Sequence, residues 1–303
     1  MKNRWRKVGH IFSPTGGSTW MRSHAAVPIA EHIDGDLFKI YFSSRNERNQ
    51  SITGFVILDI TKPGEILEIS PDPVIAPGKL GEFDDSGAMA TWLARRGDQR
   101  WLYYIGWNLG ITVPFRNSIG LSISENGGEF VRQFAGPIVD RTMTEPHFVA
   151  SCCVIPGIDK WRMWYLSCTG WQVSAGKAEH RYHIKYAESH DGINWDRDGT
   201  IAIDYANDGE YAISRPSVIH DEDCWKMWFS HRGSAYRIGY AESYDGINWT
   251  RLDGDCIIDV SVSGWDSEMI EYPYVFDHLG SRYMLYNGNE YGMTGFGLAV
   301  LEH

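Results

Sequence analysis

Hydrophobic residues recur along the chain in short runs that are typical of β-strands. WRMWYLS at 161–167 and WKMWFSH at 225–231 are rich in aromatic residues, and similar runs are rich in Val and Ile. Turn residues such as Asp-Gly separate many of these runs. Because helical periodicity is nearly absent, the pattern predicts an all-β fold.

One stretch of the sequence occurs almost unchanged a second time. YAESHDGINW at 186–195 and YAESYDGINW at 240–249 differ at one of ten positions. An aromatic W-x-M-W strand precedes each copy, and an apolar strand with a proline near its start precedes that strand. The repeat therefore marks a structural unit that the protein uses more than once.

Three weaker copies of this unit extend the pattern over the whole chain. They are VPIAEHIDGDLFKIYFSS with ITGFVILDI (27–60), ATWLARRGDQRWLYYIGW with NSIGLSISENGGEF (90–130), and YPYVFDHLGSRYMLYNG with GFGLAVL (272–301). The equivalent positions of the five units are taken as Pro28, Thr91, Pro146, Pro216 and Pro273, which follow one another at steps of 55 to 70 residues. A step of this length accommodates four short antiparallel strands with their turns.

This count predicts a single domain, residues 1–303, folded as a five-bladed β-propeller with a four-stranded antiparallel sheet in each blade. The last unit stops at Leu301, before a fourth strand could form. Residues 4–12 precede the first unit, so we expect this N-terminal strand to complete the last blade and close the ring. Most tryptophans lie within the repeats and are expected to pack between blades.

Composition and charge exclude some classes of partner. The formal net charge is −11, from 28 Lys and Arg against 39 Asp and Glu, and no basic cluster is present, so a nucleic-acid partner is not expected. Neither a signal peptide nor a membrane-spanning apolar stretch is recognisable, which predicts a cytoplasmic protein without a membrane partner. Five cysteines without paired spacing are expected to be buried free thiols.

The five units, the W-x-M-W-Y strand and the S-x-D-G-x-N-W turn resemble the five-bladed propeller glycosidases, particularly the family 43 arabinanase and xylosidase group and its relatives. The resemblance covers essentially the whole chain and implies a central funnel lined by the innermost strand of each blade. It also implies a base in the first blade, an acidic residue that sets pKa values in the second, and an acid Glu in the third. A shared fold does not by itself carry a shared reaction.

The resemblance supplies four candidate catalytic residues. Glu145, beside Pro146, matches the acid, and Asp85 matches the acidic residue of the second blade, because Asp84 shares with Asp266 a context that suggests a turn contact. The first blade departs from the family, since Val27 stands where the family has Asp. The base is therefore sought at His24, or at Glu271 or Glu268 on the opposite side of the funnel.

Residues near the starts of the innermost strands, and two tryptophans in loops, are candidates for substrate binding. Arg215 is expected either to bind an anionic group or to neutralise an acidic funnel. The candidate binding residues are Arg22, His147, Trp107, Trp171, Glu210, Arg215, Glu268 and Tyr272. No metal ligand or cofactor is predicted; some relatives hold a calcium ion in the funnel, but no oxygen-rich loop here supports one.

Three functional hypotheses follow. The first is a glycoside hydrolase-like enzyme that cleaves a small oligosaccharide or activated sugar by carboxyl acid/base chemistry. The second is a non-hydrolytic sugar-binding or glycan-biosynthesis propeller, which the missing Asp at Val27 favours. The third is a protein-interaction propeller, which does not explain the many acidic candidates. The first two share a small carbohydrate partner, and the sequence does not predict the oligomeric state.

Overall fold

The structure is a computed structural model of the chain, and it describes residues 3–302. It is all-β, as predicted, with one four-residue helical turn, α1, at Asn289–Gly292 and one 3₁₀ turn at Asp253–Asp255. Within the described residues, no helix is long and apolar enough to cross a membrane. The strands are β1 (Asn3–Phe12), β2 (Ser23–Asp34), β3 (Leu37–Arg45), β4 (Ser51–Asp59), β5 (Ile66–Ile69), β6 (Gly87–Arg96), β7 (Gln99–Leu109), β8 (Phe115–Ser124), β9 (Val131–Arg132), β10 (Val149–Ile155), β11 (Trp161–Ser174), β12 (Lys177–Ser189), β13 (Ile201–Ile203), β14 (Ala212–His220), β15 (Trp225–Arg232), β16 (Tyr236–Ser243), β17 (Thr250–Arg251), β18 (Cys256–Ile257), β19 (Glu271–His278), β20 (Ser281–Asn287) and β21 (Phe296–Leu301).

Hydrogen bonding joins these strands into three sheets. Antiparallel meanders of four strands build them: unit 1 (β2–β5), unit 2 (β6–β9), unit 3 (β10–β13), unit 4 (β14–β17) and unit 5 (β19–β21 with β1). Short parallel pairings, β4 with β6 and β12 with β14, merge units 1 and 2 and units 3 and 4 into eight-stranded sheets. The sheets are therefore larger than the separate four-stranded blades that the sequence predicts.

The N-terminal strand β1 pairs with the last strand of the chain. The antiparallel register runs from Trp5 opposite Leu301 to Phe12 opposite Phe296. Residues 4–12 thus supply the fourth strand of unit 5, as predicted, and join the two ends of the chain in one sheet.

The repeated Asp-Gly turns connect neighbouring units. Asp191 accepts hydrogen bonds from the backbone N–H groups of Ile193 and Asn194, both at 2.8 Å, and Gly192 has a φ of 78°, which favours glycine. The carbonyl oxygen of Gly192 accepts a hydrogen bond from the Tyr103 hydroxyl of unit 2, at 2.9 Å. In the second copy, the carbonyl of Gly246 accepts from the Trp164 indole of unit 3, also at 2.9 Å. The shared sequence of the two turns therefore serves contacts with the preceding unit.

Tryptophans of the repeats pack between units, as predicted. Trp164 of unit 3 lies 5.6 Å from Trp225 and 6.0 Å from Trp249 of unit 4, measured between ring centroids. Trp101 of unit 2 lies 5.0 Å from Trp161 of unit 3. All five cysteines are free, and only Cys224 is not fully buried. The hydrophobic core thus lies largely between adjacent units.

The first strand of each unit carries a bulge, and its position corrects one sequence prediction. In units 1, 4 and 5 the bulge contains Pro28, Pro216 and Pro273, a position that tolerates proline because a ladder bond is already missing. In unit 3 the bulge falls between Val149 and Cys152, within β10. The alignment of Pro146 with the other prolines was therefore wrong, and Glu145 lies in the loop before β10.

Candidate ligand site

A cavity of about 240 Å³ lies where the first strands of all five units meet. Each of these strands contributes one or two residues at or beside its bulge to the lining. They are Ala26 and Val27 of unit 1, Met89 of unit 2, Ala150 and Ser151 of unit 3, Ser214 and Arg215 of unit 4, and Tyr272 of unit 5. The cavity is thus the counterpart of the funnel that the sequence predicts.

Aromatic side chains form much of the cavity wall. Trp107 packs against Phe115 with ring centroids 4.9 Å apart, and Phe115 packs against Phe148 at 5.3 Å. On the unit 3 side, His180 stacks on Tyr182 at 4.8 Å with nearly parallel rings. Flat apolar surfaces of this kind suit the C–H faces of a sugar ring or another flat ligand.

Arg215 also lines the cavity and is fully buried. Its guanidinium donates to the backbone carbonyl oxygens of Pro28, at 3.1 Å, and of Thr91, so it connects units 1, 2 and 4. Burial lowers its pKa to about 10, which still leaves it charged at neutral pH. Arg215 therefore places a fixed positive charge beside the cavity.

Two further arginines line the cavity, one from unit 1 and one from unit 4. Arg45 ends β3 and donates to Asn49 Oδ1 at 3.2 Å, whereas Arg232 ends β15 and donates to the Tyr291 hydroxyl at 2.7 Å. Among residues 3–302, no carboxylate lies within 4.0 Å of the guanidinium of Arg45, Arg215 or Arg232.

Glu271 precedes Tyr272 at the bulge of unit 5 and carries a carboxyl group into this region of the fold. Its side chain is fully buried, and neither oxygen finds a hydrogen-bond partner in the described protein. Burial raises the pKa of Glu271 well above its usual value, and the nearby Arg232 opposes that shift only in part. Glu271 is therefore an uncharged carboxylic acid at neutral pH, and it contributes no negative charge to the site.

Glu145, predicted as the catalytic acid, lies outside the cavity lining. It is buried and accepts hydrogen bonds from the Tyr165 hydroxyl (3.0 Å) and Ser167 (3.1 Å), with Lys185 Nζ at 2.8 Å and Arg197 Nη1 at 2.9 Å. Burial opposes ionisation, but the bonds and charges of Lys185 and Arg197 outweigh it and lower the pKa of Glu145. Its contacts are those of an ionised residue in a structural ion pair.

The same arrangement recurs in three other units. In each, an acidic residue before the first strand pairs with a basic residue in or near the outermost strand. These ion-paired acids are Asp84 (with Arg132, 2.9 Å), Glu145 (with Arg197, 2.9 Å), Glu210 (with Arg251, 2.6 Å) and Asp266 (with Lys7, 2.6 Å). Tyrosine hydroxyls donate to three of them, and His231 approaches Glu210 instead. The acids predicted to gather in the funnel are thus largely held within single units.

The other predicted residues divide between the cavity and its surroundings. Trp107, Arg215 and Tyr272 line the cavity, and Trp171 packs behind its wall, 5.5 Å from Phe115. Asp85 accepts bonds from Gly81, Ser86 and Asn108 in its own loop. Burial and the charge of Arg45 lower the pKa of His24 to about 4, so it is neutral. Outside the lining are also Arg22 and Glu268, which are exposed, and His147, which is partly exposed. No group of three metal-ligating side chains occurs in the described part of the chain.

Sequence reasoning missed the two arginines at the rim. Arg45 ends the stretch FSSR and Arg232 ends FSHR, each at the end of the second strand of its unit. Ser43 and Ser230 face equivalent bulge positions, Ala26 and Ser214. The shared F-S-x-R pattern was therefore the signal that could have identified them.

Comparison with known proteins places the chain in a family. No family model matches it. Two curated proteins of Mycobacterium tuberculosis, the uncharacterized proteins MT1551 and Rv1502, are each 48% identical to it over 299 residues, covering 99% of both sequences.

Solved structures show the relationship of the fold. A glycosyl hydrolase from Bacteroides ovatus superposes with a TM-score of 0.75 at 13% identity, covering 99% of this protein and 94% of that one. A structure of BT0996 in complex with RGII gives 0.73 at 19% (99% and 91%), and a thermostable family-43 glycoside hydrolase gives 0.69 at 16% (94% and 90%). The protein therefore belongs to the family of the two mycobacterial proteins and has the fold of the glycoside hydrolase propeller superfamily.

Proposed function

We propose that residues 1–303 form a five-bladed propeller whose central cavity binds a small carbohydrate without cleaving it by a pair of carboxyl groups. The five meanders, the pairing of β1 with β21 and the glycoside hydrolase-like fold support the blade count. The cavity at the meeting point of the units supports the position of the ligand.

The observation that carries the non-hydrolytic assignment is the set of residues at the bulges. Glycosidases flank the scissile bond with two carboxyl groups, of which one is ionised and the other donates a proton. Here the bulges offer Val27, Ser151 and Ser214 on three sides of the cavity, and the carboxyl group at the unit 5 bulge, Glu271, is uncharged. The lining described in this structure therefore lacks the ionised carboxylate that the reaction needs.

The polar groups of the cavity favour a polyhydroxylated ligand. Trp107 Nε1, Asn117 Oδ1 and Ser214 Oγ are buried and find no hydrogen-bond partner in the described protein. Unpaired buried polar groups cost free energy, which a ligand with hydroxyl groups recovers by donating and accepting hydrogen bonds. Together with the aromatic wall, these groups suit a sugar better than a purely apolar ligand.

The protonation of Glu271 favours hydrolysis as a second candidate function. A carboxyl group that is protonated at neutral pH is suited to act as a general acid. Such an enzyme would take its base from a group other than a carboxylate; His24 and His180, both with a pKa lowered to about 4 by burial and a nearby arginine, are neutral but weak bases. A catalytic role for Glu145 or Asp85 remains a prediction that their contacts do not support.

Thermal-shift screening against mono- and oligosaccharides, sugar phosphates and nucleotide sugars tests the proposal. The best stabiliser is then incubated with the wild type and with Glu271→Gln and followed by NMR. A ligand that raises Tm and stays intact supports binding without cleavage. Cleavage by the wild type that Glu271→Gln abolishes would establish the second candidate instead. If no sugar raises Tm, the carbohydrate assignment is wrong.

A further inference from the structure

The cavity holds positive charge without the counter-ions that accompany other shielded arginines in this protein. Elsewhere, arginines with little exposed surface pair with carboxylates: Arg100 with Glu31 (3.3 Å), Arg197 with Glu145 (2.9 Å), Arg251 with Glu210 (2.6 Å) and Arg282 with Asp221 (2.7 Å). Arg45, Arg215 and Arg232 line the cavity and have no such partner within residues 3–302. This contrast separates the cavity from the rest of the molecule.

We propose that the ligand of this cavity is an acidic sugar, and that Arg45 and Arg232 bind its carboxylate or phosphate group. The inference rests on the proposed function, since it names the chemical class of the carbohydrate in the same cavity. Guanidinium groups bind both kinds of oxyanion through paired N–H···O hydrogen bonds.

The three arginines have different parts in this site. The guanidinium of Arg215 is already engaged by the carbonyl oxygens of Pro28 and Thr91, so it contributes charge rather than free donors. Arg45 and Arg232 each use one nitrogen on a neutral acceptor, and Arg232 Nε is buried without a partner among the described residues. A guanidinium has five N–H donors, so both residues keep donors for a ligand.

No ionised acid in the described cavity lining competes for these donors. Glu271, whose carboxyl group interacts with Arg232, is kept neutral by burial, and the two histidines that the arginines affect, His24 and His180, are neutral as well. The local charge is therefore positive, although the whole chain carries a formal charge of −11. Holding unpaired charge in a partly desolvated site is unfavourable, and an anionic ligand removes that cost on binding.

The test compares sugars that differ only in charge. Calorimetric titration of the full-length protein uses glucose, galactose and mannose, their uronates, their 6-phosphates, and inorganic phosphate as a charge without a sugar. We expect at least one uronate or 6-phosphate to bind about tenfold or more tightly than its neutral parent, with affinity that falls as salt rises. Arg45→Gln and Arg232→Gln should each weaken that binding about tenfold or more without changing the affinity for the neutral sugar. Arg6→Gln, an exposed arginine on β1, is the matched control and should change neither.

The possible outcomes distinguish this inference from the proposed function. Preference for uronates or for phosphates identifies the anionic group, and either supports the inference. Equal binding of neutral and acidic sugars, or variants that bind acidic sugars normally, overturns it and leaves the carbohydrate assignment intact. Binding of inorganic phosphate alone retains an anion site but refutes the sugar, and no binding by any probe refutes both. Arg232→Lys, which keeps the charge, guards against loss of folding and should bind more tightly than Arg232→Gln.

Discussion

Replacing Glu145 with glutamine separates a structural role for this residue from the catalytic role that the sequence resemblance implies. Glutamine keeps the size and one oxygen acceptor for Tyr165 and Ser167, but it removes the negative charge between Lys185 and Arg197. Both cations lie largely shielded, with side chains 14% and 11% exposed. The variant therefore leaves two positive charges close together without their counter-ion.

The magnitude follows from this arrangement. Breaking a buried ion pair by removing one partner costs about 3–5 kcal/mol, and the retained amide oxygen reduces this to about 2–4 kcal/mol. An unfolding entropy of about 2.1 cal/mol/K per residue makes 1 kcal/mol worth about 1.6 °C for a chain of 303 residues. We therefore expect Glu145→Gln to lower Tm by about 3–6 °C while sugar binding is unchanged.

Differential scanning calorimetry and sugar titration of the same preparations measure both effects. Asp266→Asn, which leaves Lys7 without its partner at 2.6 Å, should lower Tm in the same way. Glu222→Gln, an exposed carboxylate in the turn after β14, is the control and should change stability by no more than about 0.5 kcal/mol. A Glu145→Gln variant with wild-type Tm and an abolished turnover of any sugar would refute the structural role.

Further variants test the charges and turns described above. Burial opposes ionisation of Glu210, but His231 and Arg251 lower its pKa to about 2, so it stabilises the fold above pH ~4.5 and loses that effect as pH falls toward 2; Glu210→Gln should cost about 2 kcal/mol at pH 7, after allowance for solvent screening, and its Tm should converge with that of the wild type at pH 2. Asp191→Ala and Asp245→Ala should each cost about 1–2 kcal/mol in chemical unfolding, because each removes hydrogen bonds to two backbone N–H groups of its turn; a loss below about 0.3 kcal/mol would contradict the docking role of the turns. Without ligand, Arg45→Gln should keep or slightly raise Tm, because burial lowers the pKa of this guanidinium and no carboxylate among residues 3–302 offsets the cost; a drop of several degrees would show that Arg45 is needed for folding.

The architecture was predictable where the sequence carries local signals. The Asp-Gly turns and the W-x-M-W strands are written into consecutive residues, and proline marks the bulge in three units. In unit 3 the bulge precedes Cys152, and Pro146 six residues earlier imitates the signal. The wrong register moved Glu145 from the loop into the predicted funnel.

The site was less predictable, because its electrostatics depend on partners far away in the chain. Glu145 pairs with Arg197, 52 residues on, and Asp266 pairs with Lys7, 259 residues back. No local pattern shows that such acids are already neutralised, so they were assigned to the funnel. Tyr272 and Glu271 were found because they adjoin the bulge proline, whereas Arg45 and Arg232 lie on second strands, which the inner-strand argument did not search.

A crystal structure of the protein with the acidic sugar that stabilises it most would test the central claim most directly. The account predicts an intact sugar in the cavity between the five first strands, against Trp107, with its anionic group facing Arg45 and Arg232. A cavity left empty while the sugar binds elsewhere, or a cleaved sugar in the cavity, would contradict it.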